Sequence, residues 1–276
     1  MLSSLLAVTT FGLSLASTFE AESAVRRALH VRRTSGTVTT VNGQQRRTQV
    51  GDQLTASGHG LITGHRSSAN LAIDGGSGSV SVAQNTQMTI QQLSVSSRGG
   101  HVTVLDVPRG QARVQVPTFT NPSSRLELHT PSGVAAVRGT VFGVSVSENG
   151  KTGIATLEGK VEASAQSVKV PVAPGMVSII HPGEAPTPAR PLDRTLEIQW
   201  NLFEWRGNRL YVEGKIDSAN SLLVAENEIS VDRHGYFKSD FPLSKSTHRV
   251  IATVQNPMGE TRDHRLFRWI VHDFDL

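Results

Sequence analysis

At 276 residues the chain has room for two ordinary domains and a sizeable core, and only 18% of it is charged, too little for a solvating, disordered chain. The 27 Lys plus Arg against 23 acids leave a net charge of +4, which is no polybasic protein. Cysteine is absent, which excludes disulfides, thiolate metal centres and a lipid-modified cysteine anchor.

In chain order, residues 2–15 are apolar and Ser14-Leu15-Ala16 offers a small-x-small cleavage site, so a signal peptide and leader are predicted over 1–24, cut near Ala16. An uncleaved anchor or a buried helix is the alternative, although the run is short for a span. A periplasmic or secreted location follows from the first reading. The Arg26-Arg27 and Arg32-Arg33 pairs read as a solvated leader, with attraction to an anionic surface as the alternative.

A β domain is predicted over 31–180. Its first strand runs from Gly36 to Val41 and turns at Asn42-Gly43. Gly-x-small runs recur at Gly36, Gly78, Gly110, Gly139 and Gly159 without a fixed period, as corners of a coiled stack of short strands would. Residues 134–146 alternate at period two, with Val134, Ala136, Arg138, Thr140, Phe142, Val144 and Val146 on one face. That register puts the Arg138 guanidinium among apolar neighbours, where it acts as a structural clamp on Glu127, Asp106 or Glu158. A ligand-facing Arg138, or one re-aimed outward by a bulge at Gly139, is the alternative. Gly139 is small to let neighbouring chain pass, and Thr140 caps the turn. Ser147-Glu148-Asn149-Gly150 then turns into a strand from Thr152 to Thr156, and Glu158-Gly159 leads into the next.

Five prolines between 174 and 191 cannot continue a ladder, so a Pro-rich linker is placed at 181–193. Beyond it, over 194–276, short strands near 210–216, 221–225, 228–231, 235–237 and 248–254 predict a small β-sandwich. Their separators are Asp232-Arg233-His234-Gly235 and Asn256-Pro257-Met258-Gly259.

Few residues are arranged for chemistry. Gly150-Lys151-Thr152 ends like a phosphate loop, but Ser145 stands where its first glycine belongs and strands flank it. His59, His65 and Asp52 are isolated residues of a Gly-rich loop rather than metal ligands. Trp200, Trp205 and Tyr211 lie near Glu197, Glu204 and Glu213, a combination that carbohydrate sites often use, although aromatics at the start of a sandwich more often serve core or inter-domain packing. Aromatics at 5% and a +4 charge give no platform for nucleic acid. The chain is therefore expected to be non-catalytic, without cofactor or metal.

Thr130-Pro131-x-Gly133-x-Ala135-x-Val137-Arg138-Gly139-Thr140-x-Phe142-x-Val144, followed by Leu157-Glu158-Gly159-x-Val161, resembles the signature of the FecR domain. The resemblance covers 36–177 and takes in Leu54 after Gly51-Asp52 and the Asn85-Thr86 step. It implies a β-solenoid-like domain of an envelope regulator, named after the periplasmic part of a ferric-citrate signalling protein. The C-terminal strands loosely resemble bacterial immunoglobulin-like modules. The family's signalling member needs a cytoplasmic segment and a membrane span ahead of the β domain, whereas this sequence reads as export from its start. The expectation is an exported protein- or ligand-binding module with an envelope protein or glycan as partner. A glycan-binding protein, or a stand-alone regulator acting through a separate membrane partner, is the alternative.

Overall fold

The computed structural model describes residues 27–244 and 249–267; the signal peptide and leader expected over 1–24 lie outside them, whereas Arg32 and Arg33, read as leader, belong to the first strand. Among the described residues every regular element is a strand. The first group comprises β1 (Leu29–Ser35), β2 (Val38–Val41), β3 (Gln45–Arg47), β4 (Gln53–Leu54), β5 (Gly60–Thr63), β6 (Ser68–Ile73), β7 (Gly78–Val82) and β8 (Gln87–Val95). It continues with β9 (His101–Val116), β10 (Arg125–His129), β11 (Val134–Val137), β12 (Thr140–Val146), β13 (Thr152–Glu158), β14 (Val161–Ala165), β15 (Val168–Val172), β16 (Met176–Ile180) and β17 (Arg190–Pro191). The second group is β18 (Gln199–Arg206), β19 (Arg209–Lys215), β20 (Ser221–Val224), β21 (Asn227–Ile229), β22 (Tyr236–Pro242), β23 (Arg249–Gln255) and β24 (Thr261–Phe267).

The first seventeen strands join in one mixed sheet, and β9 is the strand that turns it into two layers. Its first half pairs with β8 and β10. From Gly110 onward it pairs with β12, and from Ala112 also with β7. Alternating Val, Leu and Ile from both layers then close on one core, including Leu61, Leu71, Val80, Leu105, Val114 and Phe142. Burial of this apolar face is the driving term, at roughly 25 cal/mol per Å² removed from water. All pairings among the described residues are antiparallel except β9 with β10. The coiled stack of the solenoid expectation is therefore not what these ladders form. Asn42-Gly43 and Asn149-Gly150 close hairpins instead, the latter with Gly150 N–H on Ser147 O at 2.8 Å.

The expected continuous strand over 134–146 is two strands. Ala135 and Val137 are the buried side chains of β11, which pairs with β10 and β14. β12 pairs with β9 and β13 and buries Phe142, Val144 and Val146. The phase of burial therefore switches at the Arg138-Gly139 bend. Gly139 (φ +133°) is needed there, because a Cβ would sit 2.2 Å from the Thr118 Cα.

The second group forms a three-strand sheet, β18-β19-β22, and a four-strand sheet, β21-β20-β23-β24, both antiparallel. Leu210, Val212 and Phe237 of the one share a core with Leu222, Val224, Val250 and Val254 of the other.

The Pro-rich segment is not a free tether. Thr187 N–H donates to Ile179 O at 2.8 Å and Leu192 N–H to Gly175 O at 2.9 Å, while β17 pairs with β16. The amides standing between the prolines supply the donors that proline lacks. Seven residues, Val141, Ala155, Val177, Ile179, Leu192, Ala219 and Met258, make a separate apolar cluster that joins the two groups of strands.

Candidate functional site

The bend and the turn after β13 bring Gly139, Thr140, Glu158 and Gly159 together. They line a cleft of about 610 Å³ with Gly76, Gly78, the end of β9 at Gln115 and Val116, and Pro117 and Thr118 after it. Val141 pairs with Glu158, and a register shift follows at Phe142, which opens the ladder at this end. Glycines on three sides leave backbone groups within reach of a ligand. Glu158 is exposed, and Arg138 is exposed in the bend that leads into β12.

The clamp expected at Arg138 is not formed. Its side chain has no hydrogen-bond or ion-pair partner among the described residues, since the bend aims it outward while its carbonyl accepts from Phe119 N–H at 3.0 Å. Of its expected partners, Glu127 is held by Arg125 at 3.0 Å and His129 at 2.9 Å. Asp106, raised by burial, accepts from Gln91 at 3.5 Å. Thr140 is not a cap either: it is 3% exposed and its Oγ1 has no partner.

The clamp exists elsewhere, at a residue read as solvated leader. Arg27 is 5% exposed and donates from Nε and Nη2 to Asp74 Oδ2 at 3.0 and 2.8 Å. The same guanidinium donates to Ser94 O at 2.9 Å, Val102 O at 2.6 Å and Thr103 Oγ1 at 2.8 Å. It thereby ties β8 and β9 to the turn after β6, using the planar fork of donors that only arginine has.

The three aromatics do not converge. Trp200, opposite Gly214, and Trp205, opposite Leu210, both pack against the sandwich core. Trp200 meets Phe203 and Phe237 edge-on at 5.6 Å. Tyr211 is opposite Glu204 on the other face of the sheet, with the Arg206 guanidinium 4.8 Å above its ring. Strand alternation therefore splits the set that sequence proximity joined.

A second concavity lies where the two groups of strands meet. Pro257 seats on β12 and β13 at Gly143 and Gly153: a Cβ at Gly143 would stand 2.0 Å from the Pro257 carbonyl oxygen. Gln111 Nε2 donates to Asn256 O at 2.7 Å, and Arg190 forms a two-pronged pair with Asp217, both arms at 2.7 Å. Burial would raise the Asp217 carboxyl, yet the Arg190 fork and the Ala219 N–H hold it below the usual carboxylate range. Lys151, 7% exposed, donates from Nζ to Ser218 O at 2.9 Å and Asn220 O at 3.4 Å. Burial lowers the Lys151 ammonium to about 8, against the opposing pull of Asp217, Glu228 and Asp232. Beside these contacts runs a groove of about 540 Å³. Its outer rim is bridged by Glu226, which pairs with Arg66 and lies 3.3 Å from His65 Nε2. His59 accepts from Thr55 N–H, Asp52 is held by Arg46, and His65 faces Glu226, so each of the three has a different partner.

The architecture is that of an all-β protein with clefts at the junctions of its sheets. Residues 60–162 match the family model described as FecR protein, and the chain carries a FecR domain over that stretch. No curated protein sequence matches it. Among solved structures, a candidate anti-sigma factor from Parabacteroides distasonis ATCC 8503 overlaps it at 14% identity with a TM-score of 0.43, over 67% of this chain and 85% of that one. A second such structure from the same organism overlaps at 16% identity with a TM-score of 0.35, over 41% of this chain and 51% of that one. A polysaccharide lyase overlaps at 9% identity with a TM-score of 0.20, over 87% of this chain and 39% of its own. At these levels of likeness no activity or partner is carried over.

Proposed function

We propose that the chain is a non-catalytic, exported binding and sensing module of the cell envelope, whose FecR domain engages a partner protein through the cleft at Gly139 and Glu158. One observation carries this reading. The family match spans 60–162, and Gly139-Thr140 and Glu158-Gly159 of the two signature elements within it line a single cleft, with Arg138 next in the chain to its wall. Exposed charge at Arg138 and Glu158 and a glycine-lined floor suit recognition of an extended segment of a partner, with backbone groups supplying affinity. The apolar run and Ala16 site support export. The strand order of the C-terminal unit supports an immunoglobulin-like module: first, second and fifth strands in one sheet, and the fourth, third, sixth and seventh in the other.

Capture from an envelope fraction tests the reading. Wild-type protein is expected to retain a discrete protein partner that Glu158→Arg loses at unchanged melting temperature. Equal retention by both proteins, or retention of glycan alone, would refute it.

A further inference from the structure

The groove between the two groups of strands carries one side chain of each sign, Arg109 and Glu148, that no intramolecular contact among the described residues uses. Arg109 is exposed there with no partner among the described residues. The side chain of Glu148 has none either, and Glu148 stands close enough to Glu228 that its charge, after burial, raises the Glu228 carboxyl. Neither carboxylate forms a salt bridge among the described residues, although Glu228 accepts the Glu148 backbone N–H and feels the charge of Lys151. Gly110, within β9, pairs with Val146 at the end of β12, so Arg109 lies beside the turn that carries Glu148.

The two carboxylates border a recess of about 90 Å³ that continues the groove. Asn220, 1% exposed, lines both spaces. Its Nδ2 is committed to Asp193 Oδ2 at 2.8 Å, and its Oδ1 is left without a partner. A buried amide oxygen in that condition costs about 1–3 kcal/mol unless a donor reaches it. The unused side chains of Asn85 and Gln255 complete a lining able both to donate and to accept.

We propose that this groove is a binding site for a zwitterionic ligand, an amino acid or short peptide, whose carboxylate meets Arg109 and whose ammonium meets Glu148 and Glu228. The volume of about 540 Å³ is within the range of small-ligand sites, which favour junctions between domains. Because walls come from both groups of strands, the site exists only while they are docked. Occupancy and docking therefore reinforce each other. The proposal rests on the reading of the chain as a sensing module and gives that module its ligand class.

Equilibrium dialysis of the full chain against a mixture of free tripeptides tests it, with the same mixture acetylated at the amino end or amidated at the carboxyl end as comparison. Free tripeptides are expected to be retained, and capping either end to weaken retention at least tenfold. Arg109→Gln and Glu148→Gln, both at exposed positions, are each expected to weaken it tenfold at unchanged melting temperature. Equal retention of capped and free peptides, or no retention at millimolar concentration, would overturn the site. Partner capture that depends on Glu158 would in that case still stand, so the two failures are distinguishable.

Discussion

Two arginines with opposite fates define the residue scale. Arg27 is enclosed by Asp74, two carbonyls and a hydroxyl, whereas Arg138 points into solvent. Removing one partner of a buried ion pair costs about 3–5 kcal/mol where the other is left without a full counter-charge, and Asp74 would keep only the Ala28 N–H and the half-exposed His101. Arg27→Ala is accordingly expected to lower stability by that amount in denaturant unfolding, and Arg27→Lys to recover little of it, because a point charge cannot replace the fork. Arg138→Ala is expected to stay within about 0.5 kcal/mol of wild type. Comparable losses at the two positions would contradict the assignment. The sequence hid this contrast because the Arg27 partners lie 47 to 76 residues away. The exposure of Arg138 follows in turn from the close approach of Thr118 to Gly139. Neither contact leaves a mark in local periodicity.

At the scale of elements, turn chemistry was the most legible signal, since it is written in adjacent residues. The turns at Asn42-Gly43, at Asp232 to Gly235 and at Asn256 to Gly259 all form where their residue types predict; Asn256 Oδ1, for one, accepts from Met258 N–H at 3.0 Å and Glu260 N–H at 3.1 Å. β24 was not among the expected strands: its Thr-Arg-Asp-His-Arg stretch has no apolar alternation, yet it pairs along its whole length with β23. Charge on an edge strand is a protection against further pairing rather than a sign of coil. The Pro-rich segment was legible as a ladder breaker but not as a strand laid along β16. The junction it leads into depends on the bare backbone of β12 under Pro257. Gly143→Ala is expected to force Pro257 away and to speed protease cleavage between Glu184 and Arg190, with the FecR core left folded. Cleavage as slow as in wild type would show that the Pro257 contact does not hold the junction.

At the scale of the whole molecule, the buried Lys151 makes the folded state gain stability as pH rises into the alkaline range. Its value of about 8 when buried lies below the ordinary 10.5, so the folded chain binds fewer protons than the unfolded one between those limits. Stability from this group therefore rises with pH across that window, by about 3 kcal/mol in all at 1.36 kcal/mol per unit. Lys151→Met is expected to remove that rise, measured as the difference in unfolding free energy between the two proteins from pH 7.5 to 10.5. Parallel curves would mean that Lys151 is not buried as a charge. The FecR domain and the all-β class were legible in the sequence; the groove was not, because it is assembled from segments more than a hundred residues apart. On the proposed function the protein binds its partner through the signature cleft. A photo-reactive amino acid placed at Arg138, at Glu158 and, as a control, at exposed Lys169 on β15 tests this in intact cells. A discrete adduct at 138 and 158 and none at 169 is the expected result; no adduct at any position, or the same adducts at all three, would contradict it.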